Sequence, residues 1–171
     1  MKGFWLGVGM TLAALGVGGF AIMGLGLVPV SADARPGAIE KWLAELALDA
    51  AIERAAPEGE SPVAPTAEAL TNAATLYRNH CAGCHGSPST QDNVFAASLY
   101  PPAPQFLGAK ARKHSHDSDG EIFVMIRDGI RLTGMPTSTR MLKDGEIWRL
   151  VTFLKHLDEL PPEAIAAFGA H

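Results

Sequence analysis

Hydrophobic and polar positions divide this chain into stretches with different periods. Between Lys2 and Asp33 no residue is charged, and over residues 4–30 only Thr11 is polar. As one helix that run would be about 40 Å long, against a bilayer hydrocarbon core of about 30 Å. Residues 1–32 are therefore expected to form a transmembrane anchor. The competing reading is a secretory signal peptide cut near Ser31-Ala32-Asp33-Ala34, although signal cores usually run only about 7–15 residues. Lys2 alone is too small a cue to orient the span by flanking charge.

Past the anchor the pattern becomes helical and two-sided. Ile39, Trp42, Leu43, Leu46, Ala47 and Ala50 recur at the spacing of one helix face, with Pro36 suited to a first turn. Residues 33–56 are read as an amphipathic helix packed on the main domain or lying on the bilayer; docking to a partner through Trp42 is the alternative. Three prolines in the nine residues 57–65 mark a linker. Residues 66–160 form the main domain, with Thr66 as N-cap and helices predicted over 68–80, 122–128 and 144–157. The second is opened by the capping-box pair Ser118 and Glu121 and closed by Gly129. The third carries a broad apolar face beside a narrow polar stripe of Arg149, Thr152 and His156. Residues 161–171 are a C-terminal tail. No stretch alternates with period two, so the fold class is all-α.

Composition narrows the chemistry. The 171 residues are 47% hydrophobic with mean hydropathy +0.11 and carry 14 basic against 18 acidic residues, a net charge of −4. No basic stripe is available to neutralise phosphates, so no nucleic acid is expected as partner. Two cysteines exclude a disulfide-stapled scaffold and a cysteine-only zinc site. A domain of about 95 residues, with a loop of over thirty around positions 86–117, has a thin core for a free-standing fold. A large apolar cofactor at its centre would resolve both oddities.

Cys81-Ala82-Gly83-Cys84-His85 has the C-x-x-C-H spacing of c-type haem attachment. Thiols about one helical turn apart can add to the two vinyl groups of one porphyrin, and the adjacent imidazole can then ligate iron. Three other readings are weaker. A thioredoxin-like motif lacks its βαβ context, a zinc site would have to recruit His114 and His116, and a disulfide would close only a tiny ring. For the sixth ligand, Met1, Met10 and Met23 lie in or before the anchor, and Met125 falls inside a helix. Met135, in a glycine- and proline-bounded loop, is preferred over Met141, with a histidine or an open site the remaining options.

The chain resembles the class I (mitochondrial-type) monohaem cytochrome c family, in its membrane-anchored bacterial form. The resemblance rests on Ala74-Thr-Leu-Tyr-Arg-Asn-His-Cys-Ala-Gly-Cys-His-Gly86, Ile126-Arg-Asp-Gly-Ile-Arg-Leu-Thr-Gly-Met-Pro136 and Glu146-Ile-Trp-Arg-Leu-Val-Thr-Phe-Leu154. It covers residues 66–158 and implies first and last helices crossing beside one covalent haem c, bound through Cys81, Cys84, His85 and Met135, with His85 and Met135 on the metal. Two positions depart from the family pattern. Ala73, expected to face Phe153, replaces a glycine at the crossing, and Lys143 replaces the Ser or Thr that often starts the last helix, leaving Asp144 as the expected cap. The stretch from Tyr100 to Phe106 resembles the family's loop under the haem edge, where an unassigned proline carbonyl would hold the His85 ring.

The function this implies is single-electron transfer by an electron carrier rather than an enzyme. Its partners would be a redox donor and acceptor, with Arg127, Arg131, Arg140 and Lys143 as either a docking patch or a solvated face. The implied location is a bacterial inner membrane, single-pass, with the haem domain in the periplasm. Two alternatives stand beside it: a permanent subunit of a larger dehydrogenase or oxidase complex, and a haem enzyme or gas-binding protein with a labile Met ligand.

Overall fold

The structure is a computed structural model of the chain and describes residues 1–32, 34–88, 93–107 and 117–169. The described residues are helical with no strand, as expected. They divide into two compact units, Met1–Arg35 and Pro36–His171.

The first unit is helix α1, Lys2–Gly24, with none of its residues buried and with the length and hydropathy to cross a membrane. Thr11, the polar side chain within its apolar run, is internally satisfied, since its hydroxyl donates to the Gly7 carbonyl at 3.0 Å. The helix is shorter than the apolar run. Leu25 caps it, and Gly26 at φ +68° turns the chain in a region that favours glycine.

The second unit begins with α2, Ala38–Ala55, whose outward stripe is not the side that packs. Ile39, Trp42, Leu43 and Leu46 are exposed, while Leu48 and Ile52 become half-buried where α2 meets α6, Asp119–Asp128. Helix α3, Ala67–His80, starts at Thr66, whose hydroxyl accepts from the Ala69 N–H at 3.1 Å. It packs against α7, Asp144–Lys155, and against a further helix, α8, Pro162–Gly169, in the stretch read from sequence as a tail. Ala73, Ala74, Ile147, Leu150, Val151, Phe153 and Ala164 have no exposed surface. Tyr77, Phe153 and Phe168 form an aromatic cluster with centroids 5.1–5.5 Å apart. Ala73 and Phe153 are thus both sealed in the helices that meet.

Local signals at the helix starts are partly as expected. Ser118 and Glu121 form the reciprocal capping box of α6. At α7 the expected Asp144 cap is corrected: Lys143 is the cap residue, its N–H donates to the Glu146 carboxylate at 2.8 Å, and Asp144 is the first helical residue. Thr152 is also corrected. It is not a solvent-facing polar position but is 3% exposed, bonded to the Ser61 hydroxyl at 2.8 Å and donating to the Val63 carbonyl at 3.1 Å. With the Ser61 N–H on Asp119 at 2.8 Å, residues 57–65 become a strap across α6 and α7. Gly120 permits this, because a Cβ there would collide with the Pro57 carbonyl.

Candidate functional site

The C-x-x-C-H segment lies directly after α3. The backbone breaks at Cys81, which ends α3 and opens the short helix α4, Ala82–His85. Cys81 and Cys84 are not bonded to each other, and both are half-buried. Burial pushes the Cys81 thiol up to about 12, with the neighbouring Cys84 adding to the shift, so Cys81 is a neutral thiol at ordinary pH.

The carbonyls of this segment are engaged from inside and outside. Cys81 accepts from the N–H groups of Cys84 and His85, and Ala82 from that of Gly86. A second segment supplies the rest. The Asn93 amide donates to Gly83 at 2.6 Å, the Gln105 amide to Cys84 at 2.9 Å, and the Phe106 N–H to His85 at 3.3 Å. Asn93 also accepts from Ala96 N–H, capping α5, Val94–Ala97, so one side chain ties two short helices together.

His85 is oriented from the same segment. Its Nδ1 lies 2.8 Å from the Pro104 carbonyl oxygen, and its ring stacks on Phe106 with centroids 4.6 Å apart and planes 9° from parallel. A carbonyl only accepts, so Nδ1 carries a proton, and in the neutral ring the lone pair is on Nε2. The proline left unassigned by the sequence is therefore Pro104. Sequence reasoning did not find Asn93, Gln105 or Phe106. Only the Tyr100–Phe106 resemblance pointed near them.

Met135 comes from the loop that follows α6. Gly129 ends α6 at φ +69°, and a Cβ there would lie 2.5 Å from the Pro136 backbone, so the loop folds back on the helix end. Ile130 N–H donates to the Met135 carbonyl at 3.1 Å, and the Thr133 hydroxyl donates to Ile130 while accepting from Met135 N–H. Leu99 packs where a Gly134 Cβ would stand, so the loop before Pro104 and the Met135 loop touch. Met135, Cys81, Ala82 and Phe106 are all half-buried against the same core. Met141, by contrast, is 53% exposed.

Tyr77, also unforeseen, joins scaffold to site. Its hydroxyl donates to the Gly86 carbonyl at 3.1 Å and its ring neighbours Phe106. Burial, and next the Cys81 thiol, push its phenol well above the ordinary range, so it stays a donor. In the basic cluster Arg127 is locally neutralised by a two-bond pair with Asp128, at 2.8 and 2.7 Å. Arg131, Arg140 and Lys143 remain exposed. His114 and His116, candidates for a zinc site, lie outside the described residues; among the described ones no cluster of three metal-binding side chains forms.

Two unbonded thiols a turn apart, an imidazole fixed through Nδ1 and a thioether on a braced loop are a donor set suited to haem c. None of the curated proteins matches the chain. Residues 68–154, half of its length, match the family described as cytochrome c oxidase, cbb3-type, subunit III, and the chain belongs to that family of c-type cytochromes.

Proposed function

We propose that the chain carries single electrons through one haem c, joined by thioethers to Cys81 and Cys84, with His85 and Met135 as axial ligands. The observation that carries this reading is the His85 Nδ1–Pro104 hydrogen bond within a C-x-x-C-H helix, since it directs the imidazole lone pair to Nε2. Family membership supports haem c as the cofactor. Bound haem c supplies an iron that alternates between ferrous and ferric states. The protein's own groups keep their positions during that change. Pro104 and Phe106 hold the imidazole, Asn93 and Gln105 hold the backbone of α4, and Ile130 and Thr133 brace Met135. Rigid ligands minimise the rearrangement each electron requires.

Helix α1 supports a single-pass anchor in a bacterial inner membrane. Covalent haem attachment occurs on the exoplasmic side, which supports a periplasmic haem domain. Protein matured in a competent host is expected to gain the mass of one haem and to give the spectrum of a doubly thioether-linked haem in alkaline pyridine. Met135→Ala should abolish the thioether-to-iron charge-transfer band while haem stays attached, and Met141→Ala should leave the band intact. The bare polypeptide mass would refute the carrier reading, and loss of the band in Met141→Ala would refute the ligand.

A second reading, a fixed oxidase subunit, is favoured by the family's description. Purification in mild detergent separates the two, because a fixed subunit co-migrates with larger chains and a free carrier does not.

A further inference from the structure

Helix α2 carries more apolar surface than its own unit covers. At 100° per residue, Leu48 and Ile52 lie on one side, and Ile39, Trp42, Leu43 and Leu46 on the side nearly opposite. The first pair is half-buried where α2 meets α6. The second set stays open, at 75%, 60%, 51% and 53% exposure. The sets also separate along the axis. The open residues fall within 38–46 and the half-buried pair within 48–55, while Asp49 and Glu53 continue the open row and end its apolar patch.

The open half is the one nearer in sequence to α1. Seven residues, 31–37, separate the apolar run from α2 and can span at most about 25 Å. We propose that Ile39, Trp42, Leu43 and Leu46 lie in the headgroup boundary of the bilayer that α1 spans, with zwitterionic lipid as the occupant of this face. The inference rests on the reading of α1 as a membrane span.

Three arguments select lipid. Trp beside aliphatic side chains suits the boundary layer, where the ring is buried and its N–H stays wet. A short tether raises the effective concentration of the face at the membrane, so a patch too small to recruit a free protein suffices. Pairing with a second copy is disfavoured, because the patch spans only about two turns against the three to four heptads a coiled coil needs, and Asp49 and Glu53 would meet their own kind. Charge refines the occupant. Glu40, Glu45, Asp49 and Glu53 against Lys41 and Arg54 leave α2 at −2, so anionic lipid adds no attraction.

The test uses the full-length haem-loaded protein as the only protein in phosphatidylcholine liposomes. Nitroxide labels are placed on Leu12→Cys in α1, and on Leu46→Cys and Ala44→Cys on opposite sides of α2. All three positions are exposed, and the haem spectrum checks that each variant is folded. Power saturation with oxygen and with a water-soluble nickel chelate reads immersion. The Leu46 label is expected to be several-fold less accessible to nickel than the Ala44 label, at headgroup depth, and unchanged by added salt or phosphatidylglycerol. If the Leu12 label is immersed while Leu46 is as wet as Ala44, this inference is overturned and the anchor stands. An aqueous Leu12 label overturns both. Shielding of Leu46 only in native membranes, and not in the liposomes, makes the occupant a protein and overturns lipid. The chain without an added cysteine takes no label if both native thiols are in thioethers, which tests haem attachment separately.

Discussion

The crossing of α3, α7 and α8 and the segment around α4 are adjacent and are held together differently. At the crossing, side chains such as Ala73, Ile147, Leu150 and Phe153 are wholly buried and meet through apolar contact. Around α4 the residues that matter are half-buried, and what fixes them is a set of polar bonds from Asn93, Pro104, Gln105 and Phe106. Apolar packing tolerates small changes of shape but sets no single atom's direction; a hydrogen bond does set one. The first region is built to be stable and the second to hold an imidazole at one angle.

The sharpest break of that contrast is His85→Ala. It is expected to abolish the low-spin spectrum while the far-ultraviolet circular dichroism of the helices persists. Phe153→Ala should do the reverse. Truncating a fully buried phenylalanine costs about 3–5 kcal/mol, a large part of a small domain's stability, so the denaturation midpoint falls steeply. In the fraction that remains folded, the axial-ligand bands should be unmoved. A shifted charge-transfer band in Phe153→Ala would show that the crossing also aims the ligands.

The same contrast explains what the sequence discloses. Helix α6 was legible because its signals are local: Ser118 and Glu121 are three residues apart, and Gly129 follows at once. The interior faces of α3 and α7 were legible as period. The C-x-x-C-H pattern was legible because its residues are contiguous in the chain. The bonds that orient α4 were not, since they reach from Asn93 to Gly83 and from Gln105 to Cys84 across loops without periodicity. Nor was the strap: prolines at 57, 62 and 65 exclude regular structure but do not say where the segment lies. Thr152, 91 residues from Ser61, looked like a solvent position because its partner is on another part of the chain. On α2 the open row was read as the whole pattern, and the packed pair Leu48 and Ile52 was missed because Lys41 and Glu45 border it.

Thr152→Val keeps the shape of α7 and removes a buried hydroxyl. The Val63 carbonyl loses its donor, a cost of about 1–3 kcal/mol if it stays buried. The strap should then become more readily cut by protease within residues 57–65, with no spectral change. A spectrum altered by Thr152→Val would mean that the strap takes part in holding the site.

The smallest effect belongs to the exposed pair beside the Met135 loop. The Arg127 guanidinium, bonded to Asp128, holds that carboxyl below its usual range. A depressed folded value means that the pair's contribution is complete above the unfolded carboxylate range and is lost as pH falls through the folded value. Because both groups are largely in water, screening limits the effect, and Asp128→Asn should cost at most about 0.5 kcal/mol at neutral pH, less in high salt. It also removes one negative charge from the stretch of chain that carries Arg131, Arg140 and Lys143. If these cations meet the redox partner, electron transfer with an acidic protein should accelerate at low ionic strength in Asp128→Asn, and the gain should vanish as salt is added. Equal rates at low salt would make the cluster a solvated face, and docking would then rest on apolar contact alone.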